Sequence, residues 1–241
     1  MLDFKISERL RAVSLFVRDG AILADIGTDH AYLPIYLSLN NKIKFGYASD
    51  VNVGPIKRAK ENIKRFNLEN KIFTNVANGL EGVEIFMPTD ITICGMGGEL
   101  IAKIIDKSTY VRNNKVRLIL QPMTCVKELR EYLQNGFFTI DENIVFEDNK
   151  FYQIICVEYD GKYHDLSNVE KEIGPKNIVN KGVFVNKFIN STIVKKHKIA
   201  DGLKLGGYDI TDIKKEISDL EKLLWSFMIY IKNCHSFIPN L

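Results

Sequence analysis

The chain has 241 residues, 46% of them hydrophobic and 26% charged, with a formal net charge of +3. That composition is ordinary for a globular protein with one sizeable domain, or one domain and an appendage. Four scattered cysteines (Cys94, Cys125, Cys156, Cys234) form no Cys-x-x-Cys pair, so neither a zinc site nor a disulfide framework is expected and a reducing cytoplasm suits them.

The first residues have no apolar stretch of the secretory kind. The longest apolar run, Leu223 to Ile231, is broken by Ser226 and is too short for a bilayer, so no membrane contact is expected. The spacing predicts a first helix over Ile6–Val17, then a strand over Ala21–Ile26 that ends in a turn at Gly27. A helix over Tyr32–Leu39 follows. This strand-turn-helix is how α/β proteins present a nucleotide-like cofactor to the carboxyl edge of a parallel sheet. Asp29 and His30 stand where a dinucleotide-binding turn carries glycine. A pyrophosphate would meet a carboxylate there, so the turn suits a cofactor bearing a cation.

Further along, strands are predicted at Phe45–Ser49, Ile72–Val76, Ile91–Cys94 and Val116–Gln121, with helices through Phe66 and Ile105 and over Val126–Gln134. Pro55 falls in a first helical turn, where proline is tolerated. Ile140–Glu147 and Phe151–Glu158, separated only by a short polar turn, read as an antiparallel hairpin. Five parallel strands closed by such a hairpin give a doubly wound α/β sheet of the class I methyltransferase variety, because dinucleotide-binding domains continue with a sixth parallel unit.

Strand periodicity stops after Gly161, which divides the chain into domains 1–161 and 162–241. Two long helical segments are expected on either side of a glycine-rich turn at Asp201–Gly207. In the second, Ile213, Ile217, Leu220, Leu224, Phe227 and Ile231 repeat at alternating intervals of four and three, a coiled-coil stripe. Ile178, Val185, Phe188 and Ile193 are its partners in a helical hairpin. Charge is uneven too: residues 161–241 hold 13 lysines against 9 acids, and between Ile173 and Ala200 six lysines occur with no acid. A basic appendage on a near-neutral body suggests a polyanionic partner, although a solvated lysine face reads the same way.

Candidate site residues gather at successive strand ends. Asp25 and Gly27 shape the first turn, and Asp29 and His30 point toward the crevice. Asp50 lies where a carboxylate accepts bonds from ribose hydroxyls, or else caps a helix. Asn78 and Gly79 offer an amide and a turn suited to an adenine edge. Gly95, Met96 and Gly97 provide bare backbone for a flat ligand.

The blocks Asp25-Ile-Gly-Thr-Asp-His-Ala-Tyr-Leu-Pro34, Asn78-Gly-Leu80, Gly95-Met-Gly-Gly98 and Leu120-Gln-Pro122 together resemble the TrmK family. These are bacterial S-adenosylmethionine-dependent methyltransferases that modify N1 of adenine 22 in tRNA. The resemblance covers essentially the whole chain, including a C-terminal helical extension that helps grip tRNA. It implies a cofactor set of Asp25, Gly27, Thr28, Asp29, His30, Asp50, Val51, Asn78, Gly79, Gly95, Met96 and Gly97. Within it Gly27, Asp29 and His30 surround the methionine part, Asp50 takes the ribose, and Asn78 and Gly79 sit by the adenine.

Adenine N1 already carries a free lone pair at neutral pH, so methyl transfer from a sulfonium needs alignment more than a base. Positive charge then moves onto the purine. Asp29 is the catalytic candidate that stabilises it, with His30 second. Tyr32 is a candidate stacking partner for the extruded base. Lys187, Lys195, Lys196 and Lys198 are expected to contact tRNA phosphates. A monomer without metal is expected. A nicotinamide-dependent oxidoreductase and a non-catalytic RNA-binding module are the competing readings.

Overall fold

The computed structural model describes residues 4–235, with side chains through Phe227, and divides into two compact units, 1–165 and 166–241. The first unit opens with α1 (Glu8–Phe16), capped by the Ser7 hydroxyl, which accepts the Leu10 N–H at 3.2 Å. There follow β1 (Ala21–Ile26), α2 (Tyr32–Leu39), β2 (Ile43–Asp50), α3 (Val53–Arg65), β3 (Ile72–Val76) and β4 (Asp90–Gly97). Then come α4 (Gly98–Asp106), β5 (Arg117–Thr124), α5 (Val126–Leu133), β6 (Asn135–Glu147) and β7 (Lys150–Tyr163).

All seven strands form one sheet in the order β3-β2-β1-β4-β5-β7-β6, parallel from β3 to β5 and antiparallel at β7. The predicted hairpin is present. Asp148 and Asn149 both take left-handed φ values, 48° and 59°, the twist that two-residue hairpin turns require. Five strands outrun their predicted bounds: β2, β4, β5, β6 and β7. β4 continues to Gly97 because Met96 and Gly97 still pair with β5, irregularly, and β6 starts at Asn135 across two bulges.

Alternation along β1 explains the layering. Ala24 and Ile26 face a core with Ile101 and Ile105 of α4 and Leu129 and Leu133 of α5. Ala21 and Leu23 face the opposite core, with Ala12 and Val13 of α1 and Leu33 and Leu37 of α2. Each fully buried Leu or Ile contributes roughly 1.5–3 kcal/mol, so covering both faces holds the sheet against its helices. Four side chains of the Asp, Glu, Lys and Arg types are buried among the described residues of this unit, Asp25, Asp90, Arg130 and Glu142; the Arg130 guanidinium bonds Glu142 at 2.9 and 2.7 Å and Gln153 at 2.7 Å. Strand order reverses between β1 and β4, the switch point at which open α/β sheets bind ligands.

The second unit contains α6 (Asn168–Ile173), α7 (Pro175–Asn180), α8 (Val185–Leu205) and α9 (Thr211–His235). Ser167 and Glu170 form a reciprocal capping box at α6. α8 and α9 make the expected antiparallel hairpin, with Val185, Phe188, Ile189 and Ile193 buried on one helix and Ile217, Leu220 and Phe227 on the other. Two details differ from expectation. Ile178 lies in the separate short helix α7. The turn begins at Gly206, not Asp201, because Gly202 has open space around it and the helix runs through it. Ile231 lies outside the described side chains.

Candidate active site

At the end of β1, Gly27 takes φ 77°, and the N–H groups of Gly27 and Thr28 both donate to the Ser49 carbonyl of β2, at 2.7 and 2.9 Å. This ties the turn to the neighbouring strand. Thr28 Oγ1 accepts the Ala31 N–H at 3.1 Å, doing for α2 what the left-handed Ala31 cannot. Asp25 is buried beneath the turn and accepts the Thr92 hydroxyl at 2.8 Å. Burial raises its carboxyl above the ordinary range, partly opposed by hydrogen bonds from Thr28 and Thr92. Asp25 is therefore a framework residue under the rim.

Asp29 and His30 stand above it. Asp29 is ion-paired with Arg58 on α3, and His30 Nε2 lies 3.1 Å from Asp29 Oδ2. The His30 ring stacks on Tyr32, centroids 4.9 Å apart and 8° from parallel, and the Phe4 ring packs edge-to-face with Tyr32 at 5.9 Å. Tyr32 thus already holds an aromatic partner, and still exposes 42% of its surface.

Asp50 ends β2. Its Oδ1 accepts the Asn52 N–H at 2.7 Å, a local turn bond at the entry to α3 that leaves the second oxygen without a hydrogen-bond partner among the described residues. Val51 beside it is exposed. After β3, the Asn78 amide donates to Glu81 at 3.2 Å, and Gly79, at φ 59°, lies against Ile104 of α4. Asn78 and Gly79 border a cavity of about 590 Å³ that extends toward Lys103, Lys107 and Tyr110.

At the end of β4, Gly95 takes φ 78° and an added Cβ would meet nothing within 4 Å. Gly98 is the opposite case: a Cβ there would collide with the Cys125 carbonyl oxygen. The Met96 thioether folds over Gly27, its Cε filling the place a Gly27 Cβ would take. Gly97 completes the bend into α4.

Three further residues support the rim without being site candidates from the sequence. Gln121, wholly buried at the end of β5, accepts the Gly95 N–H and an Arg9 Nη1 proton, each at 3.2 Å. Arg9 comes from α1, and Arg58 from α3. Their contacts span 112 and 29 residues, so no short-range pattern announces them. Only the Leu-Gln-Pro block at 120–122 hints at one of the three. Burial also pushes the Cys94 thiol far up, with Asp25 adding to the shift and Arg9 opposing it.

In the second unit Lys187, Lys195 and Lys198 are exposed on α8. Lys196 departs from the expected phosphate contact. Its ammonium bonds Glu172 at 3.0 Å and Glu216 at 2.7 Å, and only 14% of its side chain is exposed. Burial alone would lower its pKa, but the two carboxylates raise it. Among the described residues no cluster of three His, Cys, Asp or Glu could hold a metal, and no helix is long and apolar enough to cross a membrane.

A parallel sheet closed by an antiparallel pair in the order 3-2-1-4-5-7-6, with acids at the ends of β1 and β2 and the open Gly95 backbone near the end of β4, defines a class I methyltransferase. Comparison agrees. A family model described as a methyltransferase domain matches residues 6–155. The tRNA (adenine(22)-N(1))-methyltransferase of Bacillus subtilis is 36% identical over 201 residues, 81% of each chain. A solved structure from Streptococcus pneumoniae, in complex with S-adenosyl-L-methionine, matches at TM-score 0.81 and 34% identity, covering 91% of this chain and 100% of that one. M. capricolum TrmK, in complex with S-adenosyl-homocysteine, matches at TM-score 0.76 and 32% identity over 91% and 97%. The chain belongs to the tRNA (adenine(22)-N(1))-methyltransferase family.

Proposed function

We propose that this chain transfers a methyl group from S-adenosyl-L-methionine to N1 of adenine 22 in tRNA. The observation that carries the reading is one rim on which Asp29, Asp50 and the open Gly95 backbone end β1, β2 and β4. The relatives named above supply the substrate and the target atom.

The residues fit such a donor. The second oxygen of Asp50 suits ribose hydroxyls, Asn78 and Gly79 suit an adenine edge, and Gly95 lets a ligand approach main chain. Bound there, the cofactor supplies an electrophilic methyl on a sulfonium. The protein's task is then alignment. The Ser49 carbonyl fixes the Gly27 turn and Gln121 fixes Gly95, so two strand ends keep one spacing through the reaction. Asp29 contributes negative charge at the crevice mouth, favouring an ammonium before transfer and a cationic purine after it. Its pairing with Arg58 and His30 moderates that charge and fixes its direction.

Adenine N1 is buried in a duplex, so the base must be unpaired or extruded, at a cost of a few kcal/mol. Lys187, Lys195 and Lys198 on α8 hold tRNA phosphates, which give affinity and register without reading sequence. The enzyme works as a cytoplasmic monomer and needs no metal. Light scattering tests the first of these, and activity in excess EDTA tests the second. Incubation of unmodified tRNA with methyl-labelled cofactor tests the reading as a whole: label enters the RNA, and failure to label any tRNA overturns it.

A further inference from the structure

We propose that α3 is a tRNA-backbone surface on the first unit, where Lys57, Lys60 and Lys64 receive phosphates of the strand that delivers the target adenine. The inference rests on the methyltransferase reading above and adds a second place at which tRNA is held, besides the lysines of α8.

Residues 57–65 hold five cations (Lys57, Arg58, Lys60, Lys64 and Arg65) against one acid, Glu61. Residues 1–56 and 66–160 together hold 15 Lys/Arg against 20 Asp/Glu. The unit that carries the crevice is therefore acidic on balance outside this one helix, and α3 is where it can attract a polyanion. The cations are not used up within the fold. Arg58 is committed to Asp29, but no carboxylate pairs with Lys57, Lys60, Lys64 or Arg65 among the described residues. The three lysines are exposed. Steps of three and four set them on one stripe, about 10 Å from first to last at 1.5 Å per residue. Like charges at those spacings repel, so the stripe weakens the free helix. The helix dipole accounts for Lys64 and Arg65 in the last turn, but not for Lys57 and Lys60 nearer the N-terminus.

Position selects the polyanion. α3 begins at Val53, just past Asp50 at the end of β2, so its N-terminal end lies on the rim. Two contacts fasten the helix to the turn after β1: Arg58 pairs with Asp29, and the Asn62 Nδ2 donates to the His30 carbonyl at 3.1 Å. Beneath the stripe, Ala59 and Ile63 are buried with Ala31 and Ile35 of α2. The lysines therefore keep a fixed place relative to the crevice mouth. An adenine extruded into that mouth carries a phosphate on each side, and its strand must lie on the surface around the opening. Lysine contacts to those phosphates give affinity and register without reading sequence.

The test is filter binding of unmodified tRNA across a salt series, using the full chain and the triple variant Lys57→Gln, Lys60→Gln, Lys64→Gln. The salt slope of the variant falls by about 2–3, the sum over three phosphates no longer neutralised. Its affinity for S-adenosyl-L-methionine, measured by calorimetry without tRNA, stays the same, and its melting temperature holds or rises as the like charges go. The matching triple change to Arg keeps the slope. An unchanged slope in the Gln variant overturns the proposal and leaves a solvated face. Weaker tRNA binding with an equal loss of cofactor affinity, or with a lower melting temperature, overturns it in favour of a structural role. A second measurement needs no variant: acetylation of the unaltered chain, read by mass spectrometry with and without tRNA. Bound tRNA shields Lys57, Lys60 and Lys64; shielding confined to α8 overturns the proposal. Failure of the unaltered chain to bind any tRNA sinks the tRNA reading itself.

Discussion

Asp29, at the end of β1, is held by Arg58 from the second turn of α3. Both side chains are about half exposed, so the pair is worth roughly 0.2–1 kcal/mol. Arg58 competes with a cofactor ammonium for the same carboxylate. Arg58→Ala should therefore tighten cofactor binding by about two- to fivefold, Asp29→Asn should weaken it, and the double variant should match Asp29→Asn. Calorimetry on the three variants checks the cycle; a weaker Arg58→Ala would show that Arg58 builds the site instead of guarding it.

Asp50 has one oxygen tied to the Asn52 N–H and one without a hydrogen-bond partner among the described residues. Asp50→Asn keeps the turn bond and should weaken cofactor binding about tenfold, the worth of a charged hydrogen bond. Asp50→Ala removes both bonds, and a small drop in melting temperature should accompany the weaker affinity. Unchanged affinity in both variants would leave Asp50 as a helix-entry residue only.

Asp25 makes a pH-dependent prediction. Burial holds its folded-state carboxyl above the ordinary value of 3.8, so the folded chain binds that proton more tightly than the unfolded chain does. The penalty for ionising it is absent below the ordinary value, grows through the folded-state value, and is complete above it. Asp25→Asn, which can still accept from Thr92, should stabilise the protein at pH 7.5 by on the order of 1 kcal/mol. The gain should shrink at pH 4.5. Thermal melts at the two pH values decide; equal destabilisation at both would mean the charge is matched by a group on the rim.

The lysines of α8 divide into two kinds. Replacing Lys187, Lys195 and Lys198 with Gln should weaken tRNA binding and lower the salt slope by about 0.7–0.9 for each phosphate no longer neutralised. Lys196→Gln leaves Glu172 and Glu216 facing each other without their cation. It should cost stability, about 1–3 kcal/mol, with the salt slope unchanged. Filter binding across a salt series, read beside a denaturant melt, separates the two.

Much of the sheet was legible because its signals are local. Ala21–Ile26, Tyr32–Leu39 and Ile72–Val76 coincide with their predicted bounds, each set by an apolar run and a nearby turn. The closing hairpin was equally plain, since only a short polar turn separates two β-branched stretches. The short helices α6 and α7 were not, because neither is long enough to show a period. Gly202 misled for a different reason: glycine in a helix weakens it without ending it when both flanks are good helix formers. The strand-end acids were found from position alone, but their partners were not. Arg9, Arg58 and Gln121 reach the rim through tertiary contacts, and Lys196 is drawn away from solvent by Glu172 before it and Glu216 after it.

The most direct measurement is nucleotide mapping by mass spectrometry of an unmodified tRNA after incubation with the protein and S-adenosyl-L-methionine. One new methyl on N1 of adenosine 22 is the predicted result. A methyl on a different atom, at a different nucleotide, or nowhere in the RNA would contradict a rim built to align that purine nitrogen with a sulfonium methyl.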